Sequence, residues 1–158
     1  MIEIKIPSLF FEDLAVGMEF DSPGRTVTEA DIVAFSGLSG DYNQLHTDDV
    51  FASATRHGGR IAHGTLVIAI VSGLSSRSVL MLGLADQIIG LLNLDCCFKV
   101  AIKIGDTLRV VMRVENLKST SDGKRGVLTL SRTAYNQLDT IVMESSWTLL
   151  LKSRSEVE

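Results

Sequence analysis

Along this chain the spacing of apolar positions changes rhythm. From Ile61 to Ser76 there is no Asp, Glu, Lys or Arg, and Ile61, Leu66, Val67, Ile68, Ile70, Val71 and Leu74 leave little polar face. Such a run predicts a helix buried almost all round. Further on the period shortens. Leu108 to Val114 partly alternates, and 126–135 and 140–151 are rich in β-formers, with Ser121-Asp122-Gly123-Lys124 and Asn136-Gln137-Leu138-Asp139 as turns between them. These segments predict an antiparallel meander. One long buried helix followed by several long strands predicts an α+β layer in which the sheet wraps the helix.

The remaining segments carry weaker patterns. Residues 1–27 hold short strand-like pieces, with Phe10 and Phe11 expected to pack and Val16-Gly17 and Ser22-Pro23-Gly24 as turns. Thr28-Glu29-Ala30-Asp31 is a capping-box pattern that starts a helix running to about Phe35. Ser75-Ser76-Arg77 breaks the apolar helix. Val79 to Leu94 is apolar with Gly83 and Gly90 interrupting it, and its pattern does not separate helix from strand. Ser153 to Glu158 reads as a charged tail with no packing signal.

Composition narrows the class. With 158 residues, 46% hydrophobic and 22% charged, the chain is expected to form one globular domain over residues 1–158. A net charge of -4 without a long basic run argues against nucleic acid as a partner. No charged-then-apolar leader precedes Pro7, and the longest uncharged run is short and rich in Ser and Gly. A soluble, cytoplasmic protein with no membrane partner is therefore expected. Cys96 and Cys97 are adjacent, so they are read as strand residues without a mutual disulfide or a metal-ligand spacing.

The candidate chemistry lies in Gly40-Asp41-Tyr42-Asn43-Gln44-Leu45-His46, followed by Ile61-Ala62-His63-Gly64. A carboxylate and an imidazole suit acid/base work on a carbonyl compound. In one continuous helix Asp41 and His46 would stand about 140° apart, so a turn must bring them together. Gly40, Asp41 and Asn43 are turn formers, and Thr47 with Asp48 and Asp49 reads as the cap and acidic first turn of a new helix just after His46. At that helix mouth the dipole would favour a neutral His46, with Asp48 and Asp49 partly cancelling the effect. Gly64 opens the apolar helix, where free backbone N–H groups can donate to a developing oxyanion.

Each of these residues also has a plainer reading. Asp41 alone is a turn aspartate that bonds the backbone two residues on, and His46 alone is a histidine at a helix entry. His63 is ranked as a structural donor. Ser72, about 80° around the helix from Gly64, either faces the site or bonds a carbonyl one turn back. His46, His57 and His63 fit no zinc-ligand spacing, so no metal is expected. Gly58-Gly59 lacks a phosphate-loop pattern and reads as a flexible connection.

The two motifs closely resemble those of the MaoC-like dehydratases, also called (R)-specific enoyl-CoA hydratases, which have the hotdog fold. Ile104-Gly105-Asp106-Thr107-Leu108 resembles the family's turn into its long strands, so the likeness covers nearly the whole chain. The resemblance implies that Asp41 and His46 are the catalytic pair, that the Gly64 N–H serves the thioester oxygen, and that Asn43 and Ser72 are supporting hydrogen-bond groups. It also implies a reversible, cofactor-independent hydration of a trans-2-enoyl thioester, carried on CoA or an acyl carrier protein, by a homodimer or larger homo-oligomer. An acyl-CoA thioesterase and a non-catalytic acyl-thioester-binding subunit are the alternatives. The family usually has proline where this chain has Gln44, which loosens the loop that holds the pair.

Overall fold

The computed structural model describes residues 7–156. The segment before Pro7, read above as carrying no leader, lies outside the described residues, as do the last two positions of the tail. In chain order the elements are β1 (Glu19–Asp21), β2 (Arg25–Thr26), α1 (Glu29–Ser39), α2 (Gln44–Thr47), α3 (Asp49–Ser53), α4 (Gly64–Ser75), α5 (Val79–Gly83), β3 (Ile88–Phe98), β4 (Thr107–Ser119), β5 (Arg125–Tyr135) and β6 (Ile141–Lys152). The strands form an antiparallel sheet in the order β1-β4-β5-β6-β3, with β2 also on β4. The expected meander is present. The ambiguous stretch 79–94 divides into α5, a 3-10 turn at Ala85–Gln87 and the first half of β3.

The capping box opens α1 as the sequence predicts. The Thr28 hydroxyl accepts from the Asp31 N–H, and the Asp31 carboxylate accepts from the Thr28 N–H at 2.8 Å. Burial pushes the Asp31 carboxyl up, but the bonds from Thr28 and the paired Arg25 guanidinium outweigh it and hold the group below its usual range. The helix runs to Ser39, one turn beyond the expected end, because the chain turns only at Gly40. Gly40 has φ +75°, a left-handed conformation that a side chain disfavours, and its N–H reaches the Ser36 carbonyl at 2.9 Å.

Helix α4 lies on the inner face of the sheet. Val67, Ile70, Val71 and Leu74 pack with Leu108, Val110, Met112, Ala134 and Met143. Each such side chain contributes about 1.5–3 kcal/mol of burial. The sequence predicts a helix buried almost all round, but one side of it is open. Thr65, Ala69, Gly73 and Ser76 face outward, and a hollow of about 430 Å³ runs along Leu66, Ala69, Ile70 and Gly73. Uncharged composition alone does not distinguish a helix buried on every side from one whose small-residue face lies open. A second core, centred on Leu80, Leu84, Leu128, Leu130, Leu149 and Leu151, fills the far end of the sheet.

The tail also departs from expectation. Ser153 is buried, with its N–H on the Lys124 carbonyl and its hydroxyl on the Gly123 carbonyl, and Arg154 pairs with Asp13. The anchors are a turn and an N-terminal segment far away in sequence, so no local pattern announces them. Cys96 and Cys97 are exposed free thiols of β3. No helix among the described residues is long and apolar enough to cross a membrane.

Candidate active site

Helix α1 delivers the chain to Asp41. There the turn-aspartate geometry is present: the Asn43 N–H donates to Asp41 Oδ1 at 3.1 Å, and the Asn43 side chain in turn accepts from the Leu45 N–H at 2.9 Å. Asn43 therefore caps α2, a single helical turn that contains His46. This corrects the expected helix mouth. His46 lies inside α2, and the following helix α3 is capped by Asp48, whose side chain accepts from the Phe51 N–H at 2.9 Å, not by Thr47. Thr47 spends its hydroxyl backward on the Tyr42 and Asn43 carbonyls. The helix-dipole argument for His46 consequently lapses.

A hydrogen bond takes its place. His46 Nδ1 lies 2.7 Å from the Ile61 carbonyl. A carbonyl only accepts, so Nδ1 carries the proton and Nε2 presents its lone pair. Ile61 is itself tied back, its N–H donating to the Leu45 carbonyl at 3.1 Å. Arg60 fixes the same segment from outside. It bonds Glu29 at 2.8 and 2.5 Å and Asp49 at 2.7 Å, joining α1, α3 and the approach to α4, and these bonds raise its pKa. Sequence reasoning missed both Arg60 and the Ile61 carbonyl. Only a long-range contact gives either a role.

His63 is 1% exposed. Its ring stacks on that of His46 with centroids 3.8 Å apart, and its Nε2 donates to the Asp41 carbonyl at 3.0 Å, with the Ser36 hydroxyl at 3.3 Å. Its Nδ1 is buried without a partner. His63 thus meets both Asp41 and His46, more than a generic structural donor would. Donor atoms of Asp41, His46 and His63 lie within 4.8 Å of one another, a different trio from the one whose spacing was weighed against zinc. The stack disfavours shared coordination, because imidazole lone pairs lie in the ring planes and two stacked rings do not aim at one ion between them.

Gly64 is the first residue of α4, directly after His63, so its N–H belongs to the free helix N-terminus. It borders a cavity of about 330 Å³ with Ile61, Val67, Phe98, Val100 and Ile102. A methyl group placed on Gly64 would stand 3.1 Å from the Phe98 ring, so the missing side chain keeps this wall open. Ser72 is half-buried, does not border this cavity and makes no side-chain hydrogen bond among the described residues; the bond to a carbonyl one turn back belongs to Ser75 instead. Gln44 occupies the first position of α2, where proline fits but is not required, since the Asn43 and Asp41 side chains already secure the turn.

This constellation sits in a fold with known counterparts. Residues 12–136 match the family described as MaoC like domain. The chain belongs to that family. Among MaoC-like relatives, an (R)-specific enoyl-CoA hydratase of Rhodospirillum rubrum is 34% identical over 108 residues, covering 68% of this chain and 71% of that protein. A protein named MaoC from Klebsiella aerogenes is 37% identical over 101 residues, covering 64% of this chain, but the chain spans only 29% of that protein's length. The crystal structure of a MaoC-like dehydratase from Rhodospirillum rubrum superposes with a TM-score of 0.83 at 32% identity, covering 93% of this chain and 99% of that one. The helix-on-sheet architecture is the hotdog fold, a term also used for a Mycobacterium tuberculosis double hotdog protein that matches this chain with a TM-score of 0.82 at 25% identity, covering 95% of this chain and 46% of that one.

Proposed function

We propose that this MaoC-like chain is an enzyme that reversibly hydrates a trans-2-enoyl thioester to the (R)-3-hydroxyacyl thioester without a cofactor. The observation that carries the reading is the His46 tautomer: an imidazole held with Nε2 free beside the Asp41 carboxylate and stacked on His63, the residue before Gly64. Hydration needs a base for water, a proton delivered to C2 and a donor for negative charge on the thioester oxygen. His46 Nε2 polarises the water, Asp41 holds the same water and passes the proton on, and the Gly64 N–H receives the oxyanion. His63 positions the pair through its stack and its bond to the Asp41 carbonyl. Asn43 supports the turn, whereas nothing in its surroundings gives Ser72 a part.

The test is loss of the enoyl-thioester absorbance on mixing with crotonyl-CoA, with free thiol followed in the same sample. The expected result is loss without thiol release and (R)-3-hydroxybutyryl-CoA as product. Thiol release would assign a thioesterase instead.

The working unit in this reading is a homodimer. Among the described residues β3 pairs only with β6 and its other edge is open, and Ile89, Leu91, Leu92 and Phe98 of this strand are exposed. An edge of this length with apolar side chains is covered most simply by a second copy of itself. Sedimentation velocity is expected to give at least twice the mass of the 17.2 kDa chain; a monomer at micromolar concentration would refute the assembly.

A further inference from the structure

The cavity beside Gly64 carries charge that the mechanism above does not use. Arg56, His57 and Lys99 are in its lining and no carboxylate is, in a chain whose net charge is -4. Lys103 stands close by, its Nζ 4.0 Å from where a Cβ on Gly58 would lie. The acids of this region are already bonded: Glu144 pairs with Lys99 at 2.7 Å, Asp49 with Arg60 at 2.7 Å, and Asp106 accepts from the Lys103 N–H and from Gln137, each at 2.8 Å. Among the described residues no carboxylate pairs with Arg56 or Lys103. Cations gathered around a cavity without counter-ions repel one another, and an anion that enters relieves the repulsion.

The backbone tells which end of a thioester enters this cavity. Across a trans peptide the C=O and N–H point in opposite directions. The Ile61 carbonyl meets His46 Nδ1 at 2.7 Å, and the Ala62 N–H of the same peptide meets the Ile102 carbonyl at 2.7 Å. His46 and the Ile102 segment therefore flank residues 61–62 on opposite sides, and the cavity lies on the Ile102 side, walled by Phe98, Val100 and Ile102. Gly64 borders it and opens α4. A thioester with its oxygen on the Gly64 N–H and C3 at His46 keeps its acyl group on the His46 side and sends its sulfur, with the pantetheine arm of the carrier, into the cavity. An extended pantetheine arm spans about 15 Å, more than the roughly 9 Å across a compact space of about 330 Å³. Its phosphate consequently lies at the mouth, where Arg56 and Lys99 are exposed.

We propose that Arg56, with Lys103 and Lys99 beside it, binds the phosphate at the end of the pantetheine arm, so that the cavity at Gly64 is the carrier side of the site. The proposal rests on the acyl-thioester reading of that site. The Arg56 guanidinium offers the phosphate a two-pronged donor and Lys103 a second positive charge, while Phe98, Val100 and Ile102 give the apolar part of the arm a wall. The phosphate is common to CoA and to the prosthetic group of an acyl carrier protein.

The experiment varies the carrier on the intact protein. The butyryl thioesters of pantetheine, 4′-phosphopantetheine and CoA, which do not react, are titrated calorimetrically; the crotonyl thioesters of the same three are assayed for hydration. The phosphate-bearing thioesters are expected to bind about 10- to 100-fold more tightly than the pantetheine thioester, the value of charge-assisted hydrogen bonds. They are expected to react with a lower KM at similar kcat, since the phosphate is far from the reacting carbons. Phosphopantetheine and CoA running alike would assign the recognition to the shared phosphate, which an acyl carrier protein also presents; a further gain with CoA would extend the same rim to its nucleotide phosphates. Arg56→Gln is expected to narrow the gap, and Arg56→Gln with Lys103→Gln to abolish it. Lys118→Gln with Lys124→Gln, at the other end of the sheet, removes as much charge and is expected to keep the gap. Equal binding of the three thioesters by the wild type overturns the proposal, as does a gap that survives in the Arg56, Lys103 double variant or closes as far in the Lys118, Lys124 one. Selective binding without hydration of any crotonyl thioester would leave the carrier site standing and remove the hydratase reading; hydration of all three with equal KM would do the reverse.

Discussion

Asp41→Asn and His46→Gln are each expected to lower kcat for enoyl-thioester hydration by about 10²–10⁴-fold, with KM nearly unchanged and the melting temperature within a few degrees of wild type. The separation of chemistry from folding follows from what each side chain otherwise does. Asn at position 41 retains an oxygen to accept the Asn43 N–H, so the turn survives while the ionisable group is lost. Gln at position 46 retains an N–H for the Ile61 carbonyl but offers no basic nitrogen. His63 variants should fall between these and wild type. His63→Gln keeps a donor for the Asp41 carbonyl without the ring, and His63→Phe keeps a ring against His46 without the donor. Each is expected to reduce kcat roughly 10- to 100-fold, the scale of a misplaced but intact catalytic group. Steady-state kinetics on the four purified variants decide the matter: near-normal turnover in Asp41→Asn or His46→Gln would remove the acid/base assignment.

Gly126→Ala is expected to destabilise the fold by about 1–3 kcal/mol, the reverse of what the substitution does at an unconstrained strand position. Gly126 pairs with Leu151 on one side and Ser119 on the other, near the start of β5. A methyl group added there would lie 2.1 Å from Phe11 Cδ2 and 2.3 Å from its Cγ, distances that no side-chain rotation absorbs cheaply because the ring itself is anchored in the 3-10 turn Phe11–Asp13. Phe11 must move, and with it the N-terminal segment that seals the second core. Urea denaturation measures the change. The double variant Phe11→Ala, Gly126→Ala should be less destabilised than the sum of the single changes. A single Gly126→Ala variant as stable as wild type would show that Phe11 does not pack there.

The same contrast between local and distant information runs through the whole molecule. Thr28 and Asp31 cap α1 three residues apart, the Asp41 to Asn43 turn closes over two, and β4, β5 and β6 announce themselves by alternation or β-rich composition; all of these are relations among near neighbours. His46 shows the boundary. Its residue type and its nearness to Asp41 were legible, but not that it lies inside a helical turn of its own, capped by Asn43, with the cap of the next helix one residue later at Asp48. Ser72 shows a failure of another sort: its angle around α4 allowed it to face the site, and the packing of the helix did not use that allowance.

The sequence by itself determined the α+β architecture, the bounds of β5 and β6 to within one residue, the residue types of the candidate site and the family to which they belong, since periodicity, caps and motif spacing are properties of short segments. Only the tertiary structure decided which nitrogen of His46 is free, why His63 is placed against both members of the pair, and which face of α4 stays open. Each of these depends on which carbonyl, ring or strand arrives opposite from elsewhere in the chain. That pairing is settled by the register of the sheet and the closing of the core, and a one-residue slip in register would turn every such side chain to the other face.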